Sequence, residues 1–208
     1  MKLNSTLTLA LCLLASAGLR AETFYLTVSG LGGEAEYEQR FSGWAKDLDK
    51  LLHTAEPGAK IETLIGPDAT KANIEARLRD FAKQAKPEDS VVVMLVGHGS
   101  FDETDYKFNI PGPDLSAMDL AALLDKIPAK RQLIVNMTSS SGGSLATLEK
   151  PGRVVVVATK SGTEKNATVF ARYWIEALRD PAADLDKNEV ISALEAFRYA
   201  EQKTAKFF

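Results

Sequence analysis

Apolar and polar positions along this chain follow two rhythms in turn. Thr23 to Val28 alternates apolar with polar residues, the period-two pattern of a strand. Glu34 to Thr54 then carries Tyr37, Phe41, Trp44, Leu48, Leu51 and Leu52 at helical spacing, with acids at its start. Ile61 to Ile65 predicts a second strand, and Asp68 or Thr70 caps a helix bearing Ile74, Leu78 and Phe81. Ser90 to Val96 is a continuous apolar run, a buried strand that stops at Gly97-His98-Gly99. Phe101 to Ile110 predicts an irregular hairpin, broken by Pro111-Gly112-Pro113. Leu115 or Ser116 then opens a short helix through Leu124. Gln132 to Val135 is another apolar run and ends at Asn136-Met137-Thr138-Ser139-Ser140-Ser141-Gly142-Gly143. Arg153 to Ala158 gives one more strand, and Asn166 to Leu178 one more helix. Strands alternating with helices predict an α/β fold with a mostly parallel sheet.

The first residues have a different character. Lys2, the apolar stretch Leu7 to Ala17, and small residues near Ala21 read as a secretory signal peptide spanning 1–21, too short for a membrane span. The expected location is therefore periplasmic or secreted, with no membrane span after cleavage. Cys12, the only cysteine, lies in this segment, so the mature chain has no thiol chemistry and no disulfide. Losing Lys2 and Arg20 moves the net charge from −3 to about −5, with the charges interspersed. No basic stripe marks a nucleic-acid partner. Two histidines without cysteine exclude a typical zinc site.

The two strand ends carry the candidate chemistry. Sites in open α/β sheets form at the carboxyl ends of the strands. A neutral imidazole at one such end can take a proton from a hydroxyl at the next. Backbone N–H groups of Gly99 and of the Ser140–Gly143 turn could hold an oxyanion. The hydroxyl run is neither a Gly-x-Ser-x-Gly elbow nor a phosphate-binding Walker loop.

Taken together, the two motifs resemble the caspase, legumain and gingipain group of cysteine peptidases. In that group a strand ends in His-Gly, and a later strand ends in a pattern like Asp-Ala-Cys-x-Ser-Gly. Gly97-His98-Gly99 matches the first, and Ser139-Ser140-Ser141-Gly142 the second, with Ser139 at the cysteine position. If Asn136 instead stands for the aspartate, Thr138 takes that position. The resemblance implies a caspase-like three-layer α/β/α sandwich over residues 22–180. It further implies His98 as general base, Ser139 or Thr138 as nucleophile, and Gly99 with Ser140 as the oxyanion region. Ser140, Ser141, Gly142, Thr159, Lys160 and Ser161 would line the substrate pocket. The departure is chemical: a hydroxyl without a visible orienting acid for His98 is a far poorer nucleophile than a thiol. Asp102, Asp105 and Asp114 are the acids available nearby in sequence.

Residues 181–208 carry a separate signal. Asp184, Asp186, Asn188, Val190, Ser192 and Glu195 fall at the ligand positions of an EF-hand calcium loop, Val190 through its carbonyl, and a helical pattern follows. Glu189 stands where that loop places a glycine. The helical pattern is still running at Phe207-Phe208 and reads as an interrupted element. Three expectations follow. The chain is a non-catalytic pseudo-peptidase that binds a peptide or protein segment in the cleft and carries a structural calcium ion. Alternatively it is a Ser/Thr-dependent hydrolase using His98, or a structural domain whose only ligand is calcium.

Overall fold

A computed structural model describes residues 21–208. The expected signal segment falls almost wholly outside them. Five parallel strands form the central sheet: β1 (Thr23–Ser29), β2 (Lys60–Leu64), β3 (Ser90–Val96), β7 (Arg131–Asn136) and β8 (Arg153–Val157), ordered β2-β1-β3-β7-β8. Parallel neighbours need crossovers. These are supplied by α1 (Ala35–Ala55), α2 (Lys71–Gln84), and the α3 (Ala117–Leu124) and α4 (Leu145–Leu148) helices. Helix α5 (Phe170–Ala177) and α6 (Ala193–Phe207) complete the chain. A small antiparallel sheet of β4 (Gly99–Phe101), β5 (Tyr106–Phe108) and β6 (Leu115–Ser116) follows His98.

Alternation along the strands feeds two separate cores. Phe24, Leu26, Val28, Val91, Val93, Leu95 and Ile134 face α2, α3 and the small sheet. Tyr25, Met94, Val96, Val135 and Met137 face α1, α5 and α6. The result is the expected three-layer α/β/α sandwich. Ala183, Ala196 and Ala200 belong to the second core, so residues 181–208 pack onto the same layer as α1 and α5. Among the described residues, no helix is long and apolar enough to cross a membrane.

Local signals set the helix ends. Thr70, not Asp68, caps α2 by accepting from Asn73 N–H. Ser116 caps α3 in a reciprocal box with Asp119. One boundary needs correction. The helix expected from Asn166 begins only at Phe170, because Thr168 turns its hydroxyl to the Met137 carbonyl and holds the preceding residues in an irregular segment.

Candidate active site

His98 and the hydroxyl cluster do meet at one end of the sheet, since β3 and β7 are neighbours. Their side chains nevertheless turn to different partners. The imidazole packs edge-on against Tyr37 and Phe41 of α1, each ring centroid 5.0 Å away. Burial lowers its pKa below the usual histidine value, partly offset by a backbone hydrogen bond at Gly32 and the charge of Glu34. Among the described residues no hydroxyl hydrogen-bonds to this ring, and no acid orients it. Asp102 pairs with Lys107, while Asp114 accepts from Ile110 N–H.

Ser139 is buried, and its hydroxyl is spent on Gly99. Its Oγ accepts from Gly99 N–H at 3.1 Å and donates to Gly99 C=O at 3.1 Å. The glycine is required, because a Cβ there would lie 2.4 Å from the Tyr106 ring and 2.6 Å from the Ser139 carbonyl. Thr138 enters a buried network instead. Its Oγ1 lies 2.6 Å from Tyr106 Oη and donates to Asn136 Oδ1 at 2.8 Å. Asn136 Nδ2 in turn donates to Ser144 Oγ. Burial raises the Tyr106 pKa, which keeps that phenol protonated inside the network.

The remaining hydroxyls bind the turn to β8. Ser141 Oγ accepts from Ala158 and Thr159 N–H, and Thr159 Oγ1 accepts from Gly142 N–H at 2.8 Å. Lys160 is exposed, and Ser161 bonds to Thr163. Ser140 differs from its neighbours. It is fully buried, takes a left-handed backbone with φ 55° and ψ 10°, and its Oγ has no hydrogen-bond partner. Its N–H donates to the Glu164 carbonyl at 2.8 Å. Both N–H groups expected to form the oxyanion region, those of Gly99 and Ser140, are therefore already bonded within the chain.

Residues 33–162, more than half of the chain, match the sequence model of the caspase domain, peptidase C14. The chain belongs to the caspase domain family. No curated protein matches it. Among solved structures it is similar to a protein from Geobacter sulfurreducens, at 18% identity and a TM-score of 0.43. That match covers 58% of this chain and 50% of the other.

Within this caspase domain the sheet order brings together the residues that the motifs singled out. It does not bring His98 to a hydroxyl. Three contributors carry no motif signal. Tyr106 shares the apolar side of its hairpin with Phe108, a two-residue alternation that marks burial but not the polar contact. Phe101 lies between Gly143 and Gly162, where an added Cβ would sit 2.5 Å and 2.3 Å from its ring. Glu164 acts through its carbonyl, which no side-chain pattern reports.

The acidic loop outside the caspase match is densely hydrogen-bonded. Carboxylate oxygens of Asp184, Asp186 and Glu195 all lie within 4.8 Å of one another. Asp184 accepts from Asn188 and Glu189 N–H, and Asn188 Oδ1 from Val190 N–H. Glu189 takes the left-handed conformation (φ 66°) that a glycine would otherwise supply. Ser192 caps α6, and Glu195 closes the capping box. Hydrogen bonds from Ser192 and Leu185 hold the Glu195 carboxyl down to about 2, so it stays ionised.

Proposed function

We propose that this caspase domain is a non-catalytic, exported pseudo-peptidase that binds a peptide or protein segment at the strand-end cleft and carries a structural calcium ion. One observation carries the non-catalytic part: the Ser139 hydroxyl is closed onto both backbone groups of Gly99. A hydroxyl needs an adjacent base to become a nucleophile. Here that hydroxyl is engaged elsewhere, and His98 is wedged against α1. The cysteine-free site supports the same reading. The glycines at the strand ends suit the close approach of an extended backbone, hence a peptide partner. Export rests on the N-terminal signal pattern.

Calcium rests on the converging acids of the loop. Asp184, Asp186, Asn188, Ser192 and Glu195 would give side-chain oxygens and Val190 its carbonyl, with the ion bracing α6 against α5.

A second reading, a hydroxyl-dependent hydrolase, is favoured by Ser140. Non-glycine residues in left-handed backbone are uncommon and cluster at functional sites. Labelling the purified protein with a serine-reactive phosphonate separates the two. The pseudo-peptidase gives no modified peptide between Met137 and Lys150. A labelled Ser139, Thr138 or Ser140 that disappears in His98→Ala overturns it in favour of the hydrolase.

A further inference from the structure

At the strand ends the hydroxyl turn is crossed by a later part of the chain itself. Between β8 and α5, residues 158–169 form neither helix nor strand. They cross the hydroxyl turn and are tied to it along its length, with Ala158 and Thr159 N–H donating to Ser141 Oγ. Thr159 anchors Gly142 N–H, the Phe101 ring separates Gly162 from Gly143, Glu164 C=O takes Ser140 N–H, and Thr168 Oγ1 donates to Met137 C=O at 3.0 Å.

These contacts are unequal. Residues 158–162 are tied by the Ser141 and Thr159 bonds on one side and Phe101 on the other. Thr163 to Asn166 is exposed, and its one bond to the turn is the Glu164 carbonyl. A backbone carbonyl on the turn's N–H is the contact that an extended peptide would make there. The same residue, Ser140, carries a buried hydroxyl without a partner. Buried hydroxyls without partners are costly. This one has a donor and lone pairs to offer as soon as the covering segment lifts.

Resting on the peptide-binding reading above, we infer that segment 159–168 is the resident ligand of the cleft. An extended peptide from a partner binds by displacing Thr163–Ala167. It then gives Ser140 N–H a backbone carbonyl in place of that of Glu164. The hinges are Gly162, which has no side chain to catch on Phe101, and Thr168, whose hydroxyl is the latch. The ligand class is set by the chemistry: a peptide in extended form, recognised through its main chain.

The test uses the full chain and two variants. Thr168→Val removes the latch at constant shape, and Gly162→Ala drives a Cβ into the Phe101 ring. Amide exchange at Ser140 is followed by NMR, with Val93 in the sheet centre as the global reference. The probe ligand is a fluorescent acetylated peptide copying residues 162–168. Ser140 exchange should rise at least tenfold in both variants with Val93 unchanged, and the peptide should bind them at least tenfold more tightly than the parent chain. Ser140 exchange that tracks Val93 in every form overturns the inference, as does peptide binding no tighter to the variants. Phosphonate added to the opened variants keeps the two readings apart. Serine labelling there overturns the non-catalytic reading but leaves the displaceable segment standing. Unchanged exchange without labelling overturns the segment alone.

Discussion

The strand-end cluster and the acidic loop are both dense in oxygen, yet they end in opposite states. At the strand ends the groups are neutral, and each hydroxyl finds a donor or acceptor a short distance away, as Ser139 does with Gly99. Ser140, and Ser29 at the end of β1, are exceptions. Around Asp184 the groups are carboxylates, and backbone N–H groups bond them without cancelling their charge. Neutral polar groups can satisfy one another internally. Like charges gathered within 4.8 Å go on repelling one another even where each is hydrogen-bonded. Polar density in a sequence is therefore not a measure of chemistry. What matters is whether the fold can neutralise it from within.

The largest effect expected in this contrast is at Gly99. Gly99→Ala forces a Cβ onto Tyr106 and the Ser139 carbonyl. Chemical denaturation should show a loss of about 3 kcal/mol, the upper range for overpacking. A loss under about 0.5 kcal/mol, the range of ordinary surface changes, would mean that the closure is loose.

On the proposed calcium reading, the acidic loop should respond to added calcium. Calcium at a hundredfold excess over Kd should stabilise the chain by about 2.7 kcal/mol, about 5–10 °C in Tm. Asp184→Ala should abolish that gain. A calcium-independent Tm would reduce the loop to an acidic helix cap.

Ser139→Ala comes next. It strips Gly99 of both partners, and equilibrium unfolding should register a loss of about 1–2 kcal/mol. Stability equal to the parent chain would show that water replaces the hydroxyl without cost, and that the cleft is open to solvent.

The smallest effect is at His98. Burial lowers its folded pKa, so the unfolded chain binds the proton more readily. The stability held by the neutral ring is complete above about pH 6.5, the free imidazole value, and declines as pH falls through that value towards the folded one. The His98→Gln chain should lose less stability than the parent between pH 7 and 5. An NMR midpoint for His98 above about 6.5 would contradict the half-buried ring that disfavours the proton.

Much of the fold was legible in the sequence because its signals are local. The alternation in Thr23–Val28 and the unbroken run Ser90–Val96 announced strands one residue at a time. Ser116 with Asp119 announced the start of α3. The meeting of His98 with the hydroxyl turn also followed, since both lie at carboxyl ends of strands in a parallel sheet. The late start of α5 did not follow, because Val169 and its neighbours have helical spacing but are held by a bond to Met137, 31 residues away.

By itself, then, the sequence determined the layers, the polar character of the strand-end turn and the spacing of the acids from Asp184 to Glu195. Periodicity and short-range spacing need no knowledge of distant residues. The tertiary structure alone decided what each polar atom bonds to. Ser139 reaches Gly99 across 40 residues of chain, Thr138 reaches Tyr106 across 32, and Ser140 meets the carbonyl of Glu164. A hydroxyl has the same chemistry in every sequence. Whether it is a nucleophile, a strut or a free group depends on which partner the fold sets within about 3 Å of it.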